Sequence, residues 1–353
     1  MNKKTGWAIV GISKLVIDEV LPAFNLCKHA KLVALVSGDN KKAKSVAKQY
    51  GLNEKAIYNY NNFDDIKDNA EIDIVYIVLP NSQHKEFTVR AAKAGKHVLC
   101  EKPMATSADD AQIMIDACSE ANKKLMIAYR IQYEPKNRRM MRWVRNEKYG
   151  KVRLLEGFNG MNIDDPEEWR LKKLLSGGGP LVDVGIYCIN TFRFLLGEEP
   201  ESVFATSYAT PGDPRFKEVE ESIMFQLRFP GGVIANAGTS YSVHASSRYR
   251  CLPDKNVWFG MDPAFPYNDL QIQLSEGAPD EEGDIQEKNQ FALQLDHMSL
   301  CVMNDETPYT PGEEGLQDQK IIEAIYQSAR EGRIVNLEKI NKTDAFRGTP
   351  PKE

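Results

Sequence analysis

Two short segments carry side chains whose types and spacing suit proton transfer and charge stabilisation. Asp183 and Tyr187 lie four residues apart, so a helix there would present the carboxylate and the phenol on one face as a proton-handling pair. Glu101-Lys102-Pro103 follows a short apolar run, and the proline restrains the backbone of Lys102 and allows a cis peptide bond. Taken alone, the first segment would more often be the polar edge of a helix, and the second a surface turn.

The first apolar run of the chain leads into a segment with one feature of a dinucleotide-binding turn. That fingerprint would have glycines at positions 11 and 13 and a small residue at 16. Gly11 matches, Ser13 is small and its hydroxyl can bond a phosphate oxygen, and Val16 is bulkier than the pattern requires. We expect a cofactor to contact this turn at Gly11, Ser13, Lys14 and Leu15. An ordinary strand–helix turn is the alternative for this segment by itself.

The end of the second predicted strand indicates which dinucleotide binds. An acidic residue there would accept hydrogen bonds from the adenosine ribose and repel a 2′-phosphate. The strand instead ends at Ser37-Gly38, and Lys41 and Lys42 open the next helix, so a hydroxyl, backbone N–H groups and positive charge together suit a phosphate. We therefore predict NADP rather than NAD, with contacts from Ser37, Gly38 and Lys42. Asp39 favours NAD, because a small shift would aim it at the ribose.

The elements that must position these residues change in character along the chain. Up to about residue 130, apolar strands alternate with helices, and Ile72–Leu79 is apolar enough to be buried on both faces. That alternation predicts a parallel sheet with helices on both faces, whose strands place ligands at their carboxyl ends. After about residue 150, strand-like runs follow one another without long helices between them, over 152–160, 202–208, 220–229, 233–240, 246–251 and 270–274.

The fold class predicted from this organisation is α/β. An N-terminal Rossmann dinucleotide-binding domain is expected over residues 1–130, and a C-terminal α+β domain with a large, mostly antiparallel open sheet over 131–353. The second domain would bind the substrate and form the oligomer contact. Longer helices are expected over 15–29, 181–196, 289–304 and 312–331, of which the last can pack back on the first domain.

Composition argues against several classes of protein. With 45 lysines and arginines against 50 aspartates and glutamates, the net charge of -5 leaves no basic excess for a nucleic-acid partner. No apolar run approaches the roughly 20 residues that span a bilayer, so no membrane partner is expected. The six cysteines and five histidines are scattered without metal-type spacing. This predicts no metal site and a reduced, cytoplasmic setting.

Beyond these motifs, the chain resembles the glucose–fructose oxidoreductase / inositol dehydrogenase family (Gfo/Idh/MocA), and within it the glucose–fructose oxidoreductase subgroup. The resemblance runs from about residue 7 to residue 335 through long, co-linear segments. They are VALVSG (33–38), VYIVLPNSQH (75–84), AGKHVLCEKPMATS (94–107), ANKKLMIAYR (121–130), WRL (169–171), GGGPLVDVGIYCIN (177–190), LLGEEP (195–200), EVEESIMFQLRF (218–229), KNQFALQLDH (288–297) and PGEEGLQD (311–318).

The resemblance implies a Rossmann domain followed by an α/β domain whose open sheet often forms the oligomer interface, hence a homodimer or homotetramer. It implies that Lys102 is the catalytic lysine of the E-K-P motif and that Asp183 is the family aspartate. Tyr187 stands where many members carry histidine, and the subgroup carries tyrosine. Further cofactor contacts are implied at the nicotinamide-side loop, the E-K-P turn and residues lining the cofactor: Leu79, Pro80, Asn81, His84, Glu101, Arg130, Trp169 and Arg170.

The activity implied is hydride transfer between a nicotinamide cofactor and a sugar or related polyol or carbonyl compound. In that reaction Tyr187 would take the hydroxyl proton and Lys102 would orient the substrate oxygen and stabilise its charge. Asp183 would position the substrate or Tyr187. Two alternatives stay open: an NAD(P)-dependent dehydrogenase of another aldose, such as xylose, or of a trans-dihydrodiol, and a non-catalytic NADP-binding redox sensor. Candidate substrate contacts, for which core or interface packing is an equal alternative, are Tyr241, Arg248, Tyr249 and Tyr267.

The resemblance has two departures. Ser13 replaces the second glycine of the family turn, which affects how the pyrophosphate would be held. In the glucose–fructose oxidoreductase subgroup an extended N-terminal arm helps to retain NADP, whereas this chain begins just before its first strand. We therefore expect a cofactor that exchanges with solution.

Overall fold

The computed structural model describes residues 4–278, 283 and 285–351, and the chain forms two compact units. The first unit comprises residues up to 130 together with residues 288–316 and the segment from 346 onward. The second comprises residues 131–287 and 317–345. Each unit has its own β-sheet.

The sheet of the first unit has six strands, all parallel, in the order β3-β2-β1-β4-β5-β6. The order reverses between β1 and β4, and ligands of such sheets bind at the carboxyl ends of the strands near this reversal. Every residue of β1 and β4 is buried, as their apolar sequences predict. The strands are β1 Thr5–Val10, β2 Ala30–Val36, β3 Ile57–Tyr58, β4 Ile74–Ile77, β5 His97–Cys100 and β6 Leu125–Ile127.

Helices connect these strands: α1 Leu21–Ala23, α2 Asn40–Gln49, α3 His84–Lys93 and α4 Ala108–Glu120. The first connection is shorter than the predicted helix over 15–29, because it consists of a π-helical turn over Val16–Val20 followed by α1. Pro22 lies at the start of α1 and has no N–H to donate back along the helix. The chain beyond Ala23 forms isolated turns instead of continuing the helix.

The second unit contains helices α5 Pro135–Arg145, α6 Lys173–Ser176 and α7 Ile186–Leu196, the last continuing from a π-helical turn over Leu181–Gly185. Its sheet has eight strands in the order β13-β12-β11-β7-β10-β9-β8-β14. Among the residues that the structure describes, β7 and β10 pair in parallel, and all other neighbouring strands of this sheet pair antiparallel. The strands are β7 Val152–Asn162, β8 Ser202–Tyr208, β9 Ser222–Arg228, β10 Ile234–Ser240, β11 Ser242–Pro253, β12 Phe259–Met261, β13 Ile272–Leu274 and β14 Val335–Asn336.

The two faces of the eight-stranded sheet differ. On one face α7 packs so closely that a Cβ atom on Gly157 would lie 2.8 Å from the Phe192 ring. On the other face, large apolar side chains remain exposed: Leu154 and Phe204 keep 40% of their surface, and Met224 keeps 56%. The predicted open sheet is thus present, and one side of it lies uncovered in the single chain.

Two late helices, α8 Gln290–Asn304 and α9 Gly312–Glu331, complete the fold. Residues 288–316, assigned to the second domain from the sequence, belong to the first unit, and so do residues from 346 onward. The backbone N–H of His29 donates to Asp296 of α8 at 2.7 Å, and that of Ile127 donates to the carbonyl of Thr310 at 2.8 Å. The sequence assignment followed chain order, whereas these pairings join residues far apart in it.

Candidate active site

The turn after β1 is shaped by a close approach of β4. Gly11 has φ +91°, and a Cβ atom there would lie 2.2 Å from the carbonyl oxygen of Val78. Its backbone N–H donates to the carbonyl of Val36 at 2.9 Å. No other residue type fits this position, because both the backbone conformation and the neighbouring strand exclude a side chain. The turn therefore sits where the carboxyl ends of β1, β2 and β4 meet.

The residues that follow Gly11 lead into the π-helical turn over Val16–Val20. The exposed Ser13 accepts through its hydroxyl from the backbone N–H of Val16 at 3.3 Å. Lys14 is exposed and pairs with Asp18, and Leu15 is half-buried. Val16 is fully buried, where the fingerprint has a small residue. Because Ser13 is small and exposed, a phosphate group could approach the backbone of this turn from solvent.

The segment after β2 carries the residues predicted to recognise the adenosine side of the cofactor. Ser37 is buried, and its hydroxyl accepts from the backbone N–H of Asp39 at 3.1 Å. Asp39 caps helix α2, because its carboxylate accepts from the backbone N–H of Lys42 at 2.9 Å. The ammonium of Lys42 donates to the carbonyl of Ile12, so this lysine lies beside the turn after β1.

An aromatic side chain completes this corner and was not identified from the sequence. The ring of Tyr60 lies against Gly38, where a Cβ atom would be 3.0 Å from the ring. The carbonyl of Tyr60 accepts from Arg90, and the ring packs edge-on against Phe87 at 5.4 Å. The signal in the sequence is weak, because Tyr60 lies in a polar stretch between two short elements.

A buried histidine connects the strand ends of β4 and β5. The ring of His84 contacts the carbonyl oxygen of Leu79 through Nε2 and that of Pro103 through Nδ1, both at 2.9 Å. Burial lowers the pKa of His84, and the two carbonyl oxygens partly offset that effect. Pro80 and the buried Asn81 form the start of the turn between Leu79 and His84. The imidazole thus ties the predicted nicotinamide-side loop to the proline turn.

The turn after β5 holds its own carboxylate. Glu101 accepts from the hydroxyl of Tyr76 and, at 3.1 Å, from the backbone N–H of Lys102. Desolvation raises the pKa of Glu101, and Tyr76 and the Lys102 charge oppose that rise. Lys102 is half-buried, and its peptide bond to Pro103 is cis. The geometry makes Glu101 part of the turn that presents Lys102.

Arg130 lies at the end of the first segment of this unit. Its guanidinium donates to the side-chain oxygen of Gln290 at 2.6 Å and lies 5.9 Å from the ring of Phe291. Gln290 and Phe291 open helix α8, so the late segment of the chain anchors Arg130. The sequence identified Arg130 but not these two partners.

In the second unit, the predicted aspartate is held by two donors. Arg170 Nε lies 3.0 Å from Asp183 Oδ2, and the Tyr241 hydroxyl lies 2.9 Å from the same oxygen. Arg170 also pairs with Glu168, and its guanidinium lies 4.7 Å from the ring of Trp169. The structure therefore brings together Trp169, Arg170 and Asp183.

The glycine-rich turn before Asp183 is built around a second carboxylate. Glu220 accepts from the backbone N–H of Gly179 at 3.1 Å and from that of Leu181 at 3.2 Å. The hydroxyl of Tyr326 donates to the same carboxylate at 2.9 Å. Desolvation raises the pKa of Glu220, and these donors oppose the rise. The helix that follows starts with a π-helical turn over Leu181–Gly185, a feature frequent at functional sites.

Tyr187 lies on α7, immediately after that π-helical turn. Its ring is half-buried and stacks on Phe265, with the ring centroids 5.4 Å apart and the planes at 30°. Phe265 is held by Ser247, whose hydroxyl accepts from the Phe265 backbone N–H at 3.3 Å. Tyr249, a candidate substrate contact, is fully buried and donates to Asn137 at 2.9 Å, so packing accounts for it.

A metal centre and a membrane-spanning helix each require features that the described residues lack. Within residues 4–278, 283 and 285–351, no three His, Cys, Asp or Glu side chains form a group that could hold a metal ion. Among the helices of that same part of the chain, none has the length and apolar character needed to cross a membrane.

Comparison with known proteins identifies relatives over nearly the whole chain. A D-xylose 1-dehydrogenase [NADP(+)] of Haloarcula marismortui is 33% identical, with 94% of this chain and 93% of that protein covered. A D-xylose 1-dehydrogenase (NADP(+)) 2 of Haloferax volcanii is 28% identical, with 94% and 99% covered. The crystal structure of an aldose–aldose oxidoreductase from Caulobacter crescentus, complexed with glycerol, matches with TM-score 0.92 and 45% identity, covering 95% of this chain and 100% of that one.

Family models match both units. Residues 5–129 match the oxidoreductase family model with an NAD-binding Rossmann fold, and residues 137–255 match the GFO/IDH/MocA C-terminal domain. These matches cover the turn after β1, the E-K-P turn and the helix that carries Asp183 and Tyr187. The chain belongs to the GFO/IDH/MocA family of oxidoreductases.

Proposed function

We propose that this protein is an NADP-dependent oxidoreductase that acts on a hydroxyl-bearing carbon of an aldose or a closely related sugar. The observation that carries the proposal is the 45% identity to an aldose–aldose oxidoreductase over 95% of the chain. The 33% identity to an NADP-dependent xylose dehydrogenase points to the same class of substrate and cofactor. The particular sugar is left to experiment.

The residues at the ends of β1 and β2 fit NADP. Gly11 and the exposed Ser13 leave the first turn accessible to a pyrophosphate, and Lys14 and Leu15 would border it. Ser37, Gly38 and Lys42 would surround the 2′-phosphate. The carboxylate that would favour NAD, Asp39, already caps α2. The further cofactor contacts proposed are Leu79, Pro80, Asn81, His84, Glu101, Lys102, Arg130 and Trp169. Arg170, which the sequence also predicted to contact the cofactor, pairs with Asp183 instead.

When bound, NADP supplies the nicotinamide carbon that exchanges hydride with the sugar. Tyr187 would take the proton of the reacting hydroxyl during oxidation and return it during reduction. The ammonium of Lys102 would bind the reacting oxygen and stabilise the negative charge that develops on it. Asp183 would orient the sugar through a neighbouring hydroxyl. Glu101 accepts from the backbone N–H of Lys102, and the π-helical turn over Leu181–Gly185 leads directly into the helix that carries Tyr187.

The experiment is a screen of aldoses, ketoses and polyols, including D-xylose and D-glucose, with NADP⁺ and NAD⁺, in which nicotinamide absorbance reports turnover. The expected result is oxidation of at least one aldose with NADP⁺ preferred. Turnover of trans-dihydrodiols alone would favour the dihydrodiol dehydrogenase alternative. Tight NADP(H) binding without turnover of any compound would contradict the proposal and favour a redox sensor.

A second candidate is direct exchange between two aldoses, in which one sugar is oxidised and another reduced on a cofactor that stays bound. The name of the 45% identical structure favours it, and it contrasts with the exchangeable cofactor expected from the sequence. Purified protein that retains nicotinamide absorbance after extensive dialysis, and that turns over mixed aldoses without added cofactor, would establish this candidate. Loss of the absorbance on dialysis would favour the simple dehydrogenase.

We propose that the protein is a homo-oligomer, either a dimer or a tetramer. Its subunits would associate through the open face of the eight-stranded sheet. The apolar residues Leu154, Phe204 and Met224 on that face support this, because large exposed apolar patches mark contact surfaces. A cytoplasmic setting is proposed as well, supported by six cysteines that are all buried and unbridged.

A further inference from the structure

The carboxylate of Asp183 has two neighbours whose roles the proposed function does not assign. Arg170 Nε and the Tyr241 hydroxyl both bond to Oδ2, at 3.0 Å and 2.9 Å. We propose that Tyr241 and Arg170 are positioning residues that fix Asp183 for sugar binding, and that Arg170 acts in substrate recognition and not in cofactor binding. The inference rests on the proposed function, because it names how the same site recognises its sugar.

Tyr241 is anchored independently of Asp183, as a positioning residue has to be. Its backbone N–H donates to the carbonyl of Glu221 and its carbonyl accepts from Ile163, both at 3.0 Å. Its side chain is fully buried in a small apolar cluster with Leu171 and Phe216. The position of the Tyr241 hydroxyl is therefore fixed by the packing around it, and the hydroxyl can hold the Asp183 carboxylate in one orientation.

The electrostatics keep both donors in the form that binds a carboxylate. Desolvation and the adjacent Asp183 charge raise the pKa of Tyr241 well above its ordinary value, so the hydroxyl stays protonated and donates. Burial disfavours the charged form of Arg170, but the charges of Asp183 and Glu168 more than offset it, and its pKa rises. An anionic Asp183 between these donors is suited to accept a hydrogen bond from a sugar hydroxyl.

The two hydrogen bonds to Asp183 also indicate a role for it that differs from the role of Tyr187. Oδ2 accepts hydrogen bonds from both Arg170 and Tyr241, and these two donors fix the orientation of the carboxylate. Its fixed orientation serves ground-state binding of the sugar. Loss of a donor should therefore appear mainly in the KM for the sugar, and less in kcat or in cofactor affinity.

The test uses Tyr241→Phe and Arg170→Gln in the full-length protein, assayed on the best aldose of the screen. The expected result is a rise of about tenfold in the sugar KM for each, the factor that corresponds to one good hydrogen bond, with kcat within about threefold of the unchanged protein. The dissociation constant of NADPH, measured by its fluorescence, should stay unchanged. In the Asp183→Asn/Tyr241→Phe double variant the KM effects should not add, since both changes break one interaction.

Ser328→Ala is the control, because it removes another buried hydroxyl of the second unit, one that donates to the backbone carbonyl of Arg333 at 2.6 Å and has no part in the site described above. It should lower the melting temperature as much as Tyr241→Phe does and leave the sugar KM close to that of the unchanged protein. Equal KM effects in both variants, additive effects in the double variant, or weaker NADPH binding in Arg170→Gln would overturn the inference while the proposed function stands. If the wild-type protein oxidises no sugar, both the inference and the proposed function are wrong.

Discussion

The carboxylate of Asp39 accepts a hydrogen bond of 2.9 Å from the backbone N–H of Lys42. Asp39 is thereby the N-cap of α2, and its carboxylate stabilises the start of that helix. An acidic residue after the second strand of a Rossmann sheet ordinarily marks an NAD site. Here the acidic residue is engaged with the helix start, so we expect Ser37 and Lys42 to determine the choice between NADP and NAD.

Ser37→Asp should therefore reverse the cofactor preference. The new carboxylate would repel a 2′-phosphate and accept from the ribose hydroxyls, so kcat/KM with NADP⁺ should fall by at least about tenfold and rise with NAD⁺. Steady-state kinetics with both cofactors measures the ratio. Asp39→Asn, which keeps a capping side chain and removes the charge, is the control and should change the ratio by less than about threefold. If Asp39→Asn alone shifts the ratio as far, the capping explanation is wrong.

Lys102→Met and Tyr187→Phe should each lower kcat by about a hundredfold or more, because they remove charge stabilisation and proton transfer from the reaction. NADPH affinity, measured by fluorescence titration, should remain within a few fold, since the phosphate-binding residues lie elsewhere. Phe265→Leu offers a comparison that disturbs the ring stacked on Tyr187 without removing the phenol. Near-normal turnover in either of the first two variants would refute the catalytic assignments.

The open face of the eight-stranded sheet should hold the subunits together. Met224→Lys and Phe204→Lys place charges among apolar residues that a second subunit would cover, so they should shift the protein towards monomer. Size-exclusion chromatography with light scattering measures the mass. Leu174→Lys is the control, because Leu174 is 88% exposed and lies on helix α6 and not on a strand of that sheet. An unchanged mass for both sheet variants would show that the contact lies on another surface.

Acid stability should depend on His97. Desolvation, together with Lys123 and Lys124, lowers its pKa from 6.5 to about 4, and its Nδ1 accepts from the backbone N–H of Lys124 at 3.0 Å. Because the unfolded chain binds this proton below pH 6.5 and the folded chain does so only near pH 4, stability should fall as the pH drops through that interval. His97→Asn keeps an acceptor and removes the titration. Melting temperatures should decline less steeply from pH 6.5 to 4 in the variant than in the unchanged protein, and parallel curves would contradict the assignment.

The sequence predicted most elements because their signals are local. The strand over Ser202–Tyr208 and the helix over Gly312–Glu331 have the predicted bounds, since apolar periodicity and flanking breakers define both. Helix α5 was not predicted, although Glu134 before Pro135 is a recognisable N-cap and first-turn pair. The parallel pairing of β7 with β10 could not be predicted, because a strand's own residues do not state which neighbour it will have.

The residues of the candidate site also differ in whether the sequence around them carries a local signal. Gly11, Lys102 and Asp183 lie inside continuous motifs and were singled out there, but the roles expected of Lys102 and Asp183 came from the family resemblance. Glu220 was missed, and Tyr241 was named only as a candidate substrate contact. These two reach the glycine turn and Asp183 from strands distant in sequence, and nothing in their local pattern indicates that contact. Supporting residues of this kind are set by tertiary packing, which one sequence does not reveal.

The first unit is assembled from both ends of the chain, and this has a consequence for how the protein is made. The backbone N–H of Ile127 in β6 donates to the carbonyl of Thr310, and the backbone N–H of His29 donates to the side-chain carboxylate of Asp296. During synthesis, the ribosome must therefore translate all of residues 131–287 before the partners of the nucleotide-binding half exist. Nascent chains arrested near residue 130 should therefore remain protease-sensitive, and protection of the nucleotide-binding half should appear only after residue 310 has been translated.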